Sequence, residues 1–264
     1  MFQVMLIGLL AIMIYMTTIW VVSLRLKNAG IVDIFWGPGF ALAGWVYFAL
    51  TPDGFLPRKL LIVLLVSLWG LRLGWHIGRR NIGHAEDYRY QAWRKANGAS
   101  WWWISYFKVF VLQGFLMWII ATPLIVAQFA SEPAGLTFLD VLGLALWLTG
   151  FLFEAIGDWQ LTRFKADSAN KGQVMRTGLW RYTRHPNYFG DAALWWGYFL
   201  IALSVNGGFL SIFSPILMTV MLMRVSGVAL LEQNLKKTKP GYAEYIATTN
   251  SFFPGPPHKA TDSK

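Results

Sequence analysis

Long apolar segments alternate with short polar ones along the whole chain. A helix needs roughly 20 predominantly apolar residues to cross a bilayer. The apolar segments cover residues 3–24, 32–50, 58–78, 105–128, 136–157, 188–205 and 209–231. This pattern predicts an all-α integral membrane protein with seven transmembrane helices. Because prolines after residue 253 stop any helix, we expect a single seven-helix domain over 1–257 and a disordered tail over 258–264.

The basic residues give these spans an orientation. If successive loops lie on opposite sides of the membrane, one side carries eighteen Lys and Arg residues and three fall inside spans. The other side carries two, Arg58 and Lys59, when this pair at the start of the third segment is counted with the loop before it. Lys and Arg concentrate in cytoplasmic loops. The count therefore predicts that the N-terminus is outside and the C-terminus in the cytoplasm. It also accounts for the net charge of +10 without a nucleic-acid partner.

The amino-acid composition agrees with a membrane protein and excludes several kinds of metal and disulfide site. The chain is 56% hydrophobic and only 14% charged, with a mean hydropathy of +0.44. It has no cysteine, which excludes disulfides, iron–sulfur clusters and thiolate zinc sites. The four histidines are scattered with no ligand spacing, so we predict no metal site.

Ionisable residues fall in the cytoplasmic halves of the predicted spans. Such groups are costly in a membrane and often mark functional sites. Arg72, His76 and Arg79 share one helical face, as do Glu154 and Asp158. The other polar residues of this kind are Asp33, Lys108, His185, Asn187, Asp191, Arg224 and Glu232. Two interpretations stay open, namely a polar cavity that opens to the cytoplasm, or snorkelling side chains and structural ion pairs.

The run from Arg181 to Asp191, which begins Arg-Tyr182-Thr-Arg184-His185-Pro, stands at the start of the sixth span. Proline suits the first turn of a helix, because its missing N–H would have no partner there. The unpaired N–H groups of that turn, with two basic side chains beside them, can hold an anion. The sequence therefore predicts a site for a phosphorylated or otherwise anionic group at the membrane surface.

The stretch 184–191 resembles a motif of the membrane reductase and methyltransferase superfamily, which includes steroid 5α-reductases and isoprenylcysteine carboxyl methyltransferases. Together with 32–40, 69–72 and 86–94, it makes the chain similar to the bacterial steroid 5α-reductase-like family over almost its whole length. That family has seven spans. The resemblance implies a bacterial inner-membrane protein whose active site faces the cytoplasm.

The resemblance further implies NADPH-dependent reduction of a carbon–carbon double bond conjugated to a ketone in a lipid, with a 3-oxo-Δ4-steroid as the archetype. Hydride passes to the β-carbon while a proton donor stabilises the developing enolate. The expected partners are a lipid or steroid enone and membrane lipid. No glycine-rich dinucleotide fingerprint follows a strand pattern, so NADPH recognition would fall to side chains of spans 5–7 and the cytoplasmic loops.

Site residues follow from positions that match the family. Asn187 and Asp191 would hold the nicotinamide carboxamide or a ribose hydroxyl, and basic side chains would neutralise the phosphates. The predicted cofactor-binding residues are Arg79, Glu154, Asp158, Lys165, Arg176, Arg181, Tyr182, Arg184, His185, Asn187, Asp191, Arg224 and Glu232.

The substrate side departs from the family, whose eukaryotic steroid reductases use a Glu in the second span and a Tyr in the third. Here Asp33 is the nearest acid, Trp36 falls at the Glu position, and His76 is the nearest polar group of the third span. We predict these three as the catalytic residues, with His76 as the proton donor.

The alternative function is an S-adenosylmethionine-dependent methyltransferase of the isoprenylcysteine type, which shares Arg-His-Pro-x-Tyr. Residues 158–190 carry six basic residues against two acidic ones. That excess favours a phosphorylated cofactor.

Overall fold

The computed structural model describes residues 1–225 and 228–258, apart from the side chains of 229, 230 and 234. Within these residues every regular element is a helix, and there is no strand. Apart from residue 258, the tail predicted to be disordered lies outside the described residues. The all-α class is therefore confirmed for the described part of the chain.

The chain forms two compact units. The first comprises residues 1–140 and 201–214. Its helices are α1 (Phe2–Leu26), α2 (Val32–Leu50), α3 (Leu56–Asn81), α4 (Tyr88–Asn97), α5 (Trp101–Ser105), α6 (Leu112–Ile120) and α7 (Thr122–Phe129), with a π-helical stretch at Tyr106–Val111.

The second unit comprises residues 141–200 and the described residues from 215 onward. It contains most of α8 (Phe138–Ala166) and α9 (Pro186–Leu203), then α10 (Phe213–Val220), a π-helical stretch at Met221–Val225, α11 (Val228–Thr238) and α12 (Tyr242–Thr248).

Six helical segments of the described chain are long and apolar enough to cross a membrane. They are Phe2–Leu26, Ala29–Leu50, Leu56–Asn81, Tyr88–Phe129, Phe138–Ala166 and Gly208–Val225. Each overlaps a predicted span. The remaining predicted span, 188–205, forms α9, whose first turns carry Asn187 and Asp191 and so lower its hydropathy. The membrane class is confirmed, while the count of seven spans and the orientation of the termini stay predictions.

Glycines bring α2 and α3 into close contact in the first unit. A Cβ atom added to Gly37 would lie 2.5 Å from the carbonyl oxygen of Gly70, and one added to Gly74 would lie 2.8 Å from the ring of Pro38. Only residues without a side chain allow the two backbones to approach this far. The polar end of α2, which includes Asp33, is thereby held against α3.

Close contacts at glycines also join α8 and α9 in the second unit. Gly143, Gly150 and Gly157 recur every seven residues along α8. A Cβ atom on Gly150 would lie 2.5 Å from the carbonyl oxygen of Gly190, and one on Gly157 would lie 3.2 Å from the ring of Pro186. The start of α9 is therefore held against the end of α8.

One loop assignment was wrong. Arg58 and Lys59, which the count of basic residues assigns to the loop between the second and third spans, lie in the first turn of α3 and are buried, with 0% and 4% of their surface exposed. Arg58 forms two hydrogen bonds with Asp140, from Nε to Oδ1 at 2.9 Å and from Nη2 to Oδ2 at 3.1 Å. Local hydropathy missed this because the neutralising partner is 82 residues away.

Candidate functional site

Asn187, in the first turn of α9, is the centre of a polar site in the second unit. Its Nδ2 atom donates a hydrogen bond of 3.0 Å to Oδ1 of Asp158 near the end of α8. Its own carbonyl oxygen, Oδ1, is buried and has no hydrogen-bond partner. Buried acceptors are normally paired. The Asn187 amide is thus fixed in orientation by Asp158 and retains one acceptor without a hydrogen-bond partner.

Three carboxyl groups lie on the same two helices. Glu154, Asp158 and Asp191 expose only 3%, 5% and 9% of their surface. A Cβ atom on Gly190, the residue before Asp191, would lie 2.9 Å from the Cβ atom of Glu154. The glycine contact between α8 and α9 therefore concentrates acceptors suited to hydroxyl or amide donors.

Arg184, His185 and Glu232 form a buried cluster between the loop before α9 and helix α11. Nε of Arg184 lies 2.8 Å from Oε1 of Glu232, and Nε2 of His185 lies 3.1 Å from the same oxygen. Burial alone would raise the pKa of the Glu232 carboxyl. The hydrogen bonds and charges of His185 and Arg184 outweigh burial and lower this pKa to about 2.

The Arg184 guanidinium also donates from Nη1 to the backbone carbonyls of Ile246 and Thr249. Its side chain is only 8% exposed. These contacts join the N-terminal end of α9 to the C-terminal segment of the chain. The sequence predicts Arg184 as a phosphate ligand. In the structure, most of its hydrogen-bond donors contact other groups of the protein.

A basic surface pocket of about 410 Å³ lies elsewhere in the second unit. Its lining includes Arg176, Arg181, Thr177 and Thr248. Arg176 is held in place by the carbonyl oxygen of Gly241 and by the carboxylate of Glu244. Positive charge combined with hydroxyl groups suits a phosphate.

Three other predicted cofactor residues of the second unit are exposed. They are Lys165 at the end of α8, Tyr182 before α9, and Arg224 in the π-helical stretch. The backbone carbonyl of Tyr182 accepts a hydrogen bond from the N–H of Gly255. These side chains are placed to meet a ligand only at the surface of the unit.

The predicted catalytic residues belong to the first unit. Asp33 accepts a hydrogen bond of 2.9 Å from the hydroxyl of Tyr90 and one of 3.4 Å from Nη2 of Arg89. Tyr90 is 4% exposed. The sequence does not single out Tyr90, because α4 is polar and lacks the apolar periodicity of a span. The only signal was its position inside the 86–94 stretch that carries the family resemblance.

The other first-unit predictions lie on α2 and α3. The ring of Trp36 makes an edge contact with Phe40 at a centroid distance of 5.2 Å. His76 is partly buried, whereas Arg79 is exposed and lies over the ring of Trp75 at 5.7 Å.

No group of three or more His, Cys, Asp or Glu among the described residues could hold a metal ion. Long apolar helices define the class of the chain as an integral membrane protein, and the amide–carboxylate pair of Asn187 and Asp158 is its candidate site. The chain belongs to the DUF1295 family, described as a protein of unknown function, and matches that family over residues 19–249.

Individual relatives add a distant similarity. An uncharacterized protein of Schizosaccharomyces pombe, C594.04c, is 29% identical over 222 residues, which are 74% of this chain and 63% of that protein. The 3-oxo-5-alpha-steroid 4-dehydrogenase 1 of Homo sapiens is 34% identical over 74 residues, 28% of this chain and 29% of that protein. The Bos taurus enzyme of the same name is 33% identical over 84 residues, covering 32% and 31% of the two chains.

The chain thus spans less than two thirds of each of these relatives. No solved structure matches it.

Proposed function

We propose that the protein is an NADPH-dependent membrane reductase that acts on a carbon–carbon double bond conjugated to a ketone in a lipid. The observation that carries the proposal is the buried, unpartnered Oδ1 atom of Asn187 beside Asp158. A carboxamide ligand such as nicotinamide has the N–H donors that this acceptor lacks. The short similarity to 3-oxo-5-alpha-steroid 4-dehydrogenases supports the same reaction class.

Six polar residues of the second unit would hold the cofactor. Asp158 fixes the Asn187 amide, and Asn187 orients the nicotinamide through its free acceptor. Asp191 and Glu154 accept hydrogen bonds from ribose hydroxyls. Arg181 and Arg176 bind phosphate. When bound, NADPH supplies the hydride that reduces the β-carbon of the enone.

Reduction also needs a proton donor for the ketone oxygen as negative charge develops there. The pair of Tyr90 and Asp33 is the best candidate, because a phenol O–H that is already oriented by a carboxylate can turn to a substrate oxygen. His76 is the second candidate, since imidazole donates protons near neutral pH. Both lie in the first unit. Trp36, one turn from Asp33, would contact the apolar body of the substrate.

The proposal includes the predicted topology. With seven spans, an outside N-terminus and a cytoplasmic C-terminus, the Asn187 site would face the cytoplasm, where NADPH is available. A lipid substrate would enter from the bilayer. A bacterial inner membrane is the expected location.

The first experiment is a binding measurement on purified full-length protein in lipid nanodiscs. NADPH should bind at least about tenfold more tightly than NADH, because a charge-assisted phosphate contact contributes about 1.5–3 kcal/mol. Arg181→Ala should reduce this preference, whereas the matched control Arg163→Ala, at the exposed end of α8, should keep it.

S-adenosylmethionine tests the alternative of a methyltransferase. Binding of S-adenosylmethionine without binding of NADPH would overturn the reductase proposal. A 3-oxo-Δ4-steroid added with NADPH then tests the reaction class, with cofactor oxidation as the measurement.

A further inference from the structure

Helix α4 lies at one end of the first unit, where spanning helices end. The backbone N–H of Ala29, between α1 and α2, donates a hydrogen bond of 2.6 Å to Oε1 of Glu86, just before α4. The hydroxyl of Tyr90 in α4 donates to Asp33 in the first turn of α2. Helix α4 is therefore fixed where one long apolar helix ends and the next begins. In a membrane protein, this is the level of the lipid–water boundary.

The length of the apolar segment that starts with α4 leads to the same placement. This segment covers Tyr88–Phe129, which is 42 residues, whereas roughly 20 residues are enough to cross the hydrocarbon of a bilayer. The chain turns at Gly98, whose φ is +52°, so α4 is separate from the apolar helices that follow. The segment is long enough for α4 to lie along the membrane surface.

Helix α4 has one face against the unit and one face outward. The inner face is held by Tyr90 and by Arg94, whose guanidinium donates to both carboxylate oxygens of Glu86 at 2.9 and 3.0 Å. The residues of the outer face follow helical spacing and are exposed, and they are Tyr88, Gln91, Ala92 and Lys95. With Arg94, the outer face of α4 lines a surface pocket of about 530 Å³.

Positive charge is in excess around the outer face of α4. Residues 79–108 contain six Lys and Arg residues against two acidic ones. Both acidic residues, Glu86 and Asp87, form ion pairs with arginines. Among the residues that the structure describes, four basic side chains of this stretch form no ion pair, namely Arg79, Arg80, Lys95 and Lys108. Of these four, Lys95 lines the pocket, so the pocket suits an anion.

Exposed aromatic side chains adjoin this basic surface. Trp102, Trp103 and Phe107 expose 57%, 47% and 60% of their surface. The next residue, Lys108, lies with Nζ 4.5 Å from the ring centroid of Trp93 in α4, which brings the aromatic segment beside the helix. Tryptophan is enriched at the membrane–water interface. An anion that meets both Lys95 and such rings combines a phosphate with an apolar body, as a phospholipid does.

We propose that the outer face of α4 binds the phosphate group of an anionic phospholipid, with Lys95 as its charged contact. The hydroxyl of Tyr88 and the amide of Gln91 supply hydrogen-bond donors beside this charge. The proposal is independent of the proposed reductase activity, because it concerns a surface of the first unit and its test measures lipid binding alone.

Native mass spectrometry of the full-length protein in detergent measures lipid binding directly. Phosphatidylglycerol should bind more tightly than phosphatidylcholine with the same acyl chains. Lys95→Gln should weaken the binding of phosphatidylglycerol by about fivefold, which is the contribution of one basic residue near an anionic lipid surface. Lys95→Arg should keep the wild-type affinity. The matched control is Lys171→Gln, because Lys171 is exposed in the second unit and its loss changes the net charge equally.

Two results would overturn the proposal directly. One is equal affinity for the two lipids, and the other is the same loss of phosphatidylglycerol binding in Lys171→Gln as in Lys95→Gln. Inorganic phosphate at millimolar concentration tests the source of the anion, and it should not displace phosphatidylglycerol. Displacement would show that the surface binds soluble phosphate instead of a membrane lipid.

Discussion

Nδ2 of Asn187 donates a hydrogen bond of 3.0 Å to Oδ1 of Asp158. The other polar atom of the same amide, Oδ1 of Asn187, is buried and has no hydrogen-bond partner. This relationship gives the amide a defined direction before any ligand binds. Preorganisation of this kind reduces the cost of ordering a binding site. It makes Asn187 the position where the proposed cofactor site is most sensitive to mutation.

Asn187→Ala should therefore weaken NADPH binding by about tenfold, as expected for loss of one hydrogen bond to a buried group. It should also reduce turnover. Titration of NADPH into nanodisc-embedded protein measures the first effect. Asn97→Ala is the matched control, because Asn97 is only half-buried and its Nδ2 donates to the backbone carbonyl of Trp93 in its own helix. Equal NADPH affinity in wild type and Asn187→Ala would exclude a contact to the cofactor.

Tyr90 and His76 compete for the role of proton donor. A positioned general acid contributes about 10²–10⁴-fold to rate, so Tyr90→Phe should lower turnover by that factor and leave NADPH affinity nearly unchanged. His76→Phe is the parallel variant. Steady-state rates with a fixed enone decide between them. If only His76→Phe loses turnover, His76 is the donor, and the Tyr90–Asp33 hydrogen bond is structural.

Glu232 should make the second unit sensitive to acid. Its pKa in the folded protein is lowered to about 2, against an ordinary value of 4.5. A carboxyl group with a lowered folded pKa stabilises the protein fully above its unfolded pKa, and this stability is lost as pH falls through the folded pKa. We expect the loss between about pH 4.5 and pH 2.

Thermal unfolding between neutral pH and pH 2 measures the effect. Glu232→Gln should be less stable than wild type at neutral pH and should lose less on acidification. Glu244→Gln, whose carboxylate is 63% exposed, should follow the wild-type profile. A wild-type profile for Glu232→Gln as well would show that the cluster with Arg184 and His185 contributes no pH-dependent stability.

The ion pair of Arg58 and Asp140 should be essential for the stability of the first unit. Both side chains are buried, at 0% and 1% exposure. Breaking a buried pair by removing one partner leaves an uncompensated charge and costs about 3–5 kcal/mol. Asp140→Ala should show a large drop in the midpoint of thermal unfolding. The control is Asp53→Ala in the exposed turn between α2 and α3.

The double variant Arg58→Met with Asp140→Leu should recover much of that loss, because neither charge of the pair is left buried without its partner. If Asp140→Ala alone is as stable as wild type, Arg58 must reach solvent or another partner when Asp140 is removed.

Topology can be tested independently of function. The eighteen-to-two distribution of Lys and Arg predicts that Pro52, in the turn before α3, is outside and that Lys236, in α11, is cytoplasmic. Reporter domains fused after these residues should report opposite sides of the membrane. The same side for both would require one span more or fewer than predicted between them.

The sequence by itself determined the helical membrane architecture to a large degree. A helix satisfies its backbone hydrogen bonds internally, so a long apolar run is enough to define a span. Six of the seven predicted spans overlap helical segments with the length and hydropathy to cross a membrane. The spacing of Glu154 and Asp158 in the sequence also predicts that they share one helix face, because residues i and i+4 lie on one side of a helix.

Only the tertiary structure decided which polar side chains form hydrogen bonds with one another. The hydrogen-bond partner of Asn187 is 29 positions away in the sequence, that of Arg184 is 48 positions away, and that of Tyr90 is 57 positions away. Such pairs depend on which helix faces pack together, and in this chain close glycine contacts such as Gly150–Gly190 set those faces. Hydropathy along one helix carries no information about the neighbouring helix. For that reason Arg58 reads as a loop residue in the sequence and is a buried ion-pair partner in the fold.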